Sequence, residues 1–125
     1  MTLVDTSAWI DALRPDGNHE VRHGVTELLT AGQAVLCDMV VLELWNGAGS
    51  EEERAKLRRL FDTLRICAVD GPVWEQAGTL AQRCRASGIT VPATDLLIAA
   101  TARVNSLLLL HADEHFTLLD NLTNV

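Results

Sequence analysis

Short apolar runs alternate along the chain with longer segments whose apolar residues recur at helical spacing. Four runs have the length of buried strands, at residues 2–5, 34–37, 65–69 and 107–110. A fifth run at 117–119 is predicted to add an edge strand. Capping residues, glycines and prolines delimit the helical segments between them. The alternation predicts an α/β sandwich around a mostly parallel sheet of about four to five short strands.

Two of the helical segments have particularly clear signals. Ser50 and Glu53 match a capping box, and acidic residues there precede basic ones, as the helix dipole favours. The segment from Pro92 to about Val104 is apolar on nearly every face, which predicts a central helix. The basic residues at 54–59 are attributed to the polar face of the first of these helices, with RNA contact as the alternative.

The length of 125 residues predicts a single domain, over 1–125, with room for a hydrophobic core. No apolar run approaches the ~18 residues of a membrane span, and no signal peptide is visible, so the cytoplasm is the expected location. The three cysteines lack a C-x-x-C pair and are interpreted as reduced core residues rather than ligands or nucleophiles.

The net charge of −7 narrows the possible partners. A protein that grips a nucleic acid backbone usually has a basic surface, whereas this chain has a single lysine. Two interpretations remain open. The acidic groups are concentrated in a site that a metal neutralises, or the protein has a basic partner, such as a disordered positive segment that covers the site.

Four acidic residues lie where apolar elements meet a helix or loop: Asp5, Glu43, Asp95 and Asp113. A carboxylate in an apolar setting costs several kcal/mol unless it is paired or binds a metal. Each alone has an ordinary interpretation, as a helix cap, an exposed side chain, a first-turn acid or a turn residue. Together they predict a divalent-metal site, whose oxygen ligands favour magnesium or manganese over zinc. Such an ion activates water and polarises phosphate, which is the chemistry of phosphodiester hydrolysis.

The histidines show no metal motif. His19 and His23 are four residues apart on a predicted helix, but no third ligand is evident. His111 and His115 flank Asp113, and a solvent-facing or hydrogen-bonded role is favoured for them over catalysis.

Three stretches, at residues 3–10, 41–47 and 89–102, resemble the PIN domain, and most closely the VapC-type toxins of toxin–antitoxin pairs. The resemblance extends over essentially the whole chain. It implies a three-layer α/β/α sandwich and a magnesium-dependent endoribonuclease that hydrolyses RNA. It also implies a homodimer and inhibition by a cognate VapB-type antitoxin, whose basic tail covers the acidic site.

Carried onto matching positions, the resemblance implies a catalytic cluster of Asp5, Glu43, Asp95 and Asp113. Asp5 and Asp95 are the principal expected ligands of Mg²⁺, for which Mn²⁺ is a plausible substitute, and Glu43 and Asp113 are further candidate ligands. Ser7 is expected to be a supporting polar residue.

One motif departs from the family pattern, which is Thr-x-Asp-x-Asp-Phe. Here His111 replaces the Thr and His115 the second Asp, while Asp113 is retained. The departure predicts one tightly held ion, or a contribution from Glu114, instead of a second metal position. Receiver domains and haloacid-dehalogenase-type phosphatases are disfavoured, because both require a lysine near the acids and the single lysine is Lys56. A catalytically inactive PIN-like binding module remains the alternative function.

Overall fold

The computed structural model describes residues 1–123, in which four strands alternate with seven helices. In chain order the elements are β1 (Thr2–Val4), α1 (Thr6–Leu13), α2 (His19–Thr30), β2 (Ala34–Cys37), α3 (Asp38–Gly47), α4 (Glu51–Thr63), β3 (Arg65–Cys67), α5 (Gly71–Ala86), α6 (Ala93–Val104), β4 (Leu108–Leu110) and α7 (Glu114–Thr123). The four predicted buried strands are present, and those at 2–5, 65–69 and 107–110 are shorter than expected.

All four strands are parallel, in the spatial order β3-β2-β1-β4. The chain therefore builds outward from β1 to β2 and β3, and then returns to place β4 on the other side of β1. Leu3 is in register with Val35 of β2 and with Leu109 of β4, so β1 lies between β2 and β4. The prediction of a mostly parallel sheet is confirmed.

Helices cover the sheet in the three-layer α/β/α arrangement that the resemblance implies. Helices α1 and α2 pack together, as do α5 and α6. Every residue of α6 from Asp95 to Ala102 is buried, because this helix lies in the centre of the helical packing. The prediction of a central helix is confirmed, and Asp95 is the charged residue that its buried stretch contains.

The predicted edge strand at 117–119 is wrong, because these residues lie within α7. Phe116 and Leu119 are both 1% exposed and are three residues apart, so helical geometry turns both into the core. The Asp113 side chain also accepts a hydrogen bond from the backbone N–H of His115 at 3.0 Å, which satisfies a donor in the first turn.

The three cysteines are free and buried, as predicted. Burial raises the pKa of Cys37 to about 11, so this thiol is neutral at physiological pH and packs as a small apolar side chain. Cys37 and Cys67 are register partners on neighbouring strands. Within the described residues, no helix is both long and apolar enough to cross a lipid bilayer.

Candidate functional site

The candidate site lies at the carboxyl ends of β1 and β4, where the strand order reverses. Crevices at such reversals are the usual ligand sites of parallel α/β sheets. Asp5 follows β1 directly, and its backbone N–H donates to the carbonyl of Leu110, the last residue of β4, at 2.9 Å. The loop that carries Asp113 therefore begins beside Asp5.

Asp5 is only 3% exposed, and it caps α1. Its Oδ2 accepts hydrogen bonds from the backbone N–H of Ser7 at 3.1 Å and from the Ser7 hydroxyl at 2.6 Å. Asp5 therefore does cap the helix, as expected for an isolated Asp at this junction. It also lies in the crevice of the candidate site. The two bonds fix the orientation of the carboxylate.

Ser7 connects the two strand ends. Besides donating to Asp5, its hydroxyl oxygen accepts a hydrogen bond from the backbone N–H of Ala112 at 3.0 Å. One hydroxyl therefore ties the start of α1 to the loop that precedes α7. This geometry gives the expected supporting residue a positioning function, since it holds Asp5 and the segment leading to Asp113 together.

Glu43 reaches the site from α3. Its Oε1 accepts a hydrogen bond from the Thr6 hydroxyl at 2.8 Å, which holds it beside the residue that follows Asp5. Partial burial raises the pKa of Glu43, the Thr6 hydrogen bond opposes this rise, and the negative charge of Asp5 adds to it. Glu43 and Asp5 are therefore close enough to interact electrostatically, although they come from different elements.

Asp95 lies in the first turn of α6 and is buried. Burial, followed by the charges of Asp113 and Asp5, raises the pKa of this carboxyl to about 6, while His115 acts in the opposite direction. An aspartate whose negative charge is destabilised by its surroundings gains from a nearby cation. Asp95 is therefore a candidate metal ligand.

His115 faces both carboxylates of this cluster. Its Nδ1 lies 3.0 Å from Oδ2 of Asp95 and 3.0 Å from Oδ1 of Asp113. Among the described residues, these three side chains form the group whose ligand atoms all lie within 4.8 Å of one another. Of the two roles favoured for His115, the structure shows hydrogen-bonding contacts, and their partners are two predicted site residues. The position of His115, two residues after Asp113, was the available sequence signal.

The other residues of this segment are placed differently. Glu114, the alternative contributor, is exposed in the first turn of α7 and lies outside the three-residue group. His111 packs against Phe116, with ring centroids 5.1 Å apart. His111 therefore serves the packing of α7 in this structure.

The donor set suits a divalent cation. Asp95 and Asp113 contribute oxygen atoms and His115 contributes a nitrogen, and the nearby charges of Asp5 and Glu43 add negative potential. Clustered carboxylates repel one another unless a cation lies among them, and oxygen-rich sites suit magnesium, manganese and related ions. The structure thus brings Asp95 and Asp113 together, with Asp5 and Glu43 alongside. The catalytic roles of these residues stay a prediction.

Comparison with known proteins agrees with the geometry. The sequence model of the PIN domain matches residues 2–122. This chain belongs to the PIN-domain family. Among the relatives of this PIN domain, ribonuclease VapC11 of Mycobacterium tuberculosis is 31% identical over 130 residues, which cover the whole of this chain and 96% of that protein.

Solved structures extend the comparison. The crystal structure of FitAcB from Neisseria gonorrhoeae matches this PIN domain with a TM-score of 0.79 and 27% identity, over 96% of this chain and 94% of that one. A toxin–antitoxin complex from Klebsiella pneumoniae matches with a TM-score of 0.69 and 23% identity, over 87% of this chain and 83% of that one, and this likeness concerns the fold. The expected family and fold are confirmed.

Proposed function

We propose that this PIN domain is a divalent-metal-dependent endoribonuclease and the toxin of a VapBC-type toxin–antitoxin pair. The observation that supports it most strongly is the cluster of Asp95, Asp113 and His115 at the strand-order reversal, in a chain that matches a VapC ribonuclease along its whole length. Hydrolysis of RNA phosphodiester bonds in the cytoplasm is the corresponding reaction and location.

In this proposal Asp5 and Asp95 are the principal residues that hold Mg²⁺, or Mn²⁺ as a substitute, and Asp113 completes the ligand set. When bound there, the ion would supply an activated water and would neutralise charge that develops on the phosphate. Glu43, whose Oε1 is held by Thr6, orients the attacking water and accepts its proton, a role that a raised carboxyl pKa suits. Ser7 keeps Asp5 and the following loop in place.

The proposal is tested by incubating the purified protein with structured RNAs, with and without Mg²⁺, beside Asp5→Asn and Asp95→Asn. Both substitutions preserve side-chain shape and remove a charge, so cleavage is expected to fall roughly 10²-fold or more while the fold persists. Asp62→Asn, a matched change at an exposed position on α4, serves as the control and should cut at the parent rate. An Asp95→Asn protein that cuts at the parent rate with Mg²⁺ would contradict the proposal. RNA binding without fragments would favour the inactive binding module.

A groove beside the site supports an inhibitory partner. Its volume is about 460 Å³, and it is lined by the partly exposed apolar residues Ile10 and Leu13 as well as by Glu43 itself. A segment of a VapB-type antitoxin that packs apolar side chains there would bring a basic side chain to the carboxylates, in keeping with the net charge of −7.

We expect Leu13→Ser to weaken inhibition by the cognate antitoxin while leaving RNA cleavage intact. Unchanged inhibition would exclude this groove.

A homodimer is also part of the proposal. We expect its interface to include the exposed apolar side chains of Leu42 on α3 and Trp74 on α5, which are 60% and 58% exposed. Sedimentation of the parent should give the mass of a dimer, and Leu42→Ser together with Trp74→Ser should shift it toward the monomer. A parent that sediments as a monomer at all concentrations would contradict the dimer.

A further inference from the structure

His115 occupies the position at which the family motif has an aspartate, and its side chain points into the same crevice. Its Nδ1 lies 3.0 Å from both Asp95 Oδ2 and Asp113 Oδ1. The side chain is 32% exposed, and its backbone N–H donates to Asp113 at 3.0 Å, which fixes the first turn of α7. The backbone of His115 is therefore fixed in place, and Nδ1 of its imidazole faces the two carboxylates.

Two of the three separations within this group match the spacing of neighbouring ligands around a small ion. In an octahedral site with bonds of about 2.1 Å, neighbouring ligand atoms lie about 3.0 Å apart. Both distances from Nδ1 to a carboxylate oxygen have this value, and all three atoms lie within 4.8 Å of one another. When the ring proton is on Nε2, Nδ1 presents its lone pair to the space between the carboxylates.

We propose that His115 is a ligand of the metal, through Nδ1, and that this nitrogen makes the site prefer Mn²⁺ to Mg²⁺. The inference rests on the proposed function only for placing the metal in this crevice. It assigns a specificity-determining role to His115, which lies outside the expected cluster of Asp5, Glu43, Asp95 and Asp113.

The preference follows from the chemistry of the two ions. Mg²⁺ is a hard cation that binds oxygen and gives up its water reluctantly, so replacing an oxygen ligand by a nitrogen weakens its binding. First-row transition ions accept imidazole more readily, although Mn²⁺ is the weakest binder in that series. A site in which one imidazole joins the carboxylates therefore favours Mn²⁺ over Mg²⁺, whereas an all-carboxylate site has little reason to do so.

The first test detects the nitrogen directly. Pulsed electron paramagnetic resonance of Mn²⁺ bound to the parent is expected to show coupling to ¹⁴N, which ¹⁵N-histidine labelling converts to the ¹⁵N pattern. His115→Asp, which keeps a ligand of the family type, should bind Mn²⁺ without this coupling. His23→Gln, a change at an exposed histidine on α2 that pairs with Glu27, should retain it. Absence of nitrogen coupling in the parent would overturn the inference and leave His115 as a hydrogen-bonding partner of the carboxylates.

The second test measures selectivity by calorimetric titration with each metal. The ratio of Mn²⁺ to Mg²⁺ affinity should fall roughly tenfold from the parent to His115→Asp. An unchanged ratio would contradict the assigned preference, and circular dichroism without metal verifies that the variant is folded.

RNA cleavage measured in parallel separates the two proposals. Nitrogen coupling without cleavage refutes the ribonuclease alone, and metal-dependent cleavage without nitrogen coupling refutes the inference alone.

Discussion

Helix α4 and the crevice at the ends of β1 and β4 are both rich in acidic residues, yet they compensate these charges in opposite ways. On α4, Glu51 pairs with Arg54 at 3.2 Å and with Arg58, and its side chain is 69% exposed. In the crevice, Asp5 and Asp95 are buried and come from different elements. Solvated charges with partners a turn or two away contribute little to stability, whereas buried clustered charges require a cation or a specific partner.

The comparison shows that the density of acidic residues along a chain is a poor guide to function. Three consecutive glutamates at 51–53 form the first turn of a surface helix, where the dipole and nearby basic residues stabilise them. Single acids that are spread along the chain form the candidate site. Convergence at a strand-order reversal, where Asp5 and Asp95 are buried, is the feature that distinguishes them.

The largest expected effects distinguish two residues of the crevice, Asp113 as a metal ligand and Glu43 as a proton acceptor. Asp113→Asn should abolish both metal binding and RNA cleavage, because Asp113 belongs to the three-residue ligand group. Glu43→Gln should retain metal binding and lower cleavage by roughly 10²- to 10⁴-fold, as expected for loss of a proton acceptor. Metal titration and cleavage rates for both variants measure this difference. Equal loss of metal affinity in the two would show that Glu43 is also a ligand.

A smaller effect is expected from two serines near helix N-termini, Ser7 in the first turn of α1 and Ser50 at the N-cap of α4. Ser7→Ala removes the bonds to Asp5 and to the Ala112 backbone, so it should cost about 1 to 3 kcal/mol of stability and also reduce cleavage. Ser50→Ala removes the cap of α4, where the hydroxyl accepts from the Glu53 N–H at 3.1 Å, and should cost about 1 kcal/mol with cleavage unchanged. Denaturant unfolding and cleavage assays test both. A Ser7→Ala protein with parent activity would show that Ser7 contributes to stability alone.

The buried acid should also make stability depend on pH. Folded Asp95 holds its proton up to pH about 6 and the unfolded chain only to about 4, so the folded state binds more protons between these values. The metal-free free energy of unfolding should therefore fall as pH rises from 4 to 6, by at most about 3 kcal/mol for this group. Asp95→Asn should lack this decrease, and saturating Mn²⁺ should reverse it in the parent. Parallel pH profiles for the parent and the variant would contradict the shift.

The smallest effect is expected on α4. Glu51→Gln breaks the pairs with Arg54 and Arg58 on a solvated surface, so the unfolding midpoint and the cleavage rate should both stay at parent values. Thermal unfolding at low and high salt measures this. A clear drop in midpoint at low salt would show that the charge network of α4 is stronger than its exposure suggests.

The sequence predicts local features well in this protein. The cap of α4 is readable because Ser50 and Glu53 lie one turn apart, and the central position of α6 follows from a helix that is apolar on nearly every face. Three of the four acidic candidates, Asp5, Asp95 and Asp113, lie at the ends of elements, where an isolated charge is conspicuous, whereas Glu43 lies within α3.

The failures are tertiary in origin. The run at 117–119 is short enough to suit a strand, and it becomes helical because Asp113 satisfies the first turn and Phe116 and Leu119 enter the core. The place of His115 is visible only once β4 is paired with β1, which brings the start of α7 against the first turn of α6. Neither fact is encoded in local spacing.

The most direct test of the site is a crystal structure of the protein grown with Mn²⁺, with data collected at the manganese absorption edge. We predict an anomalous difference peak within bonding distance of Asp95, Asp113 and Nδ1 of His115, with Asp5 as a further ligand. An ordered protein that shows no peak there, or whose manganese binds only elsewhere, would contradict the assignment of this crevice as the metal centre.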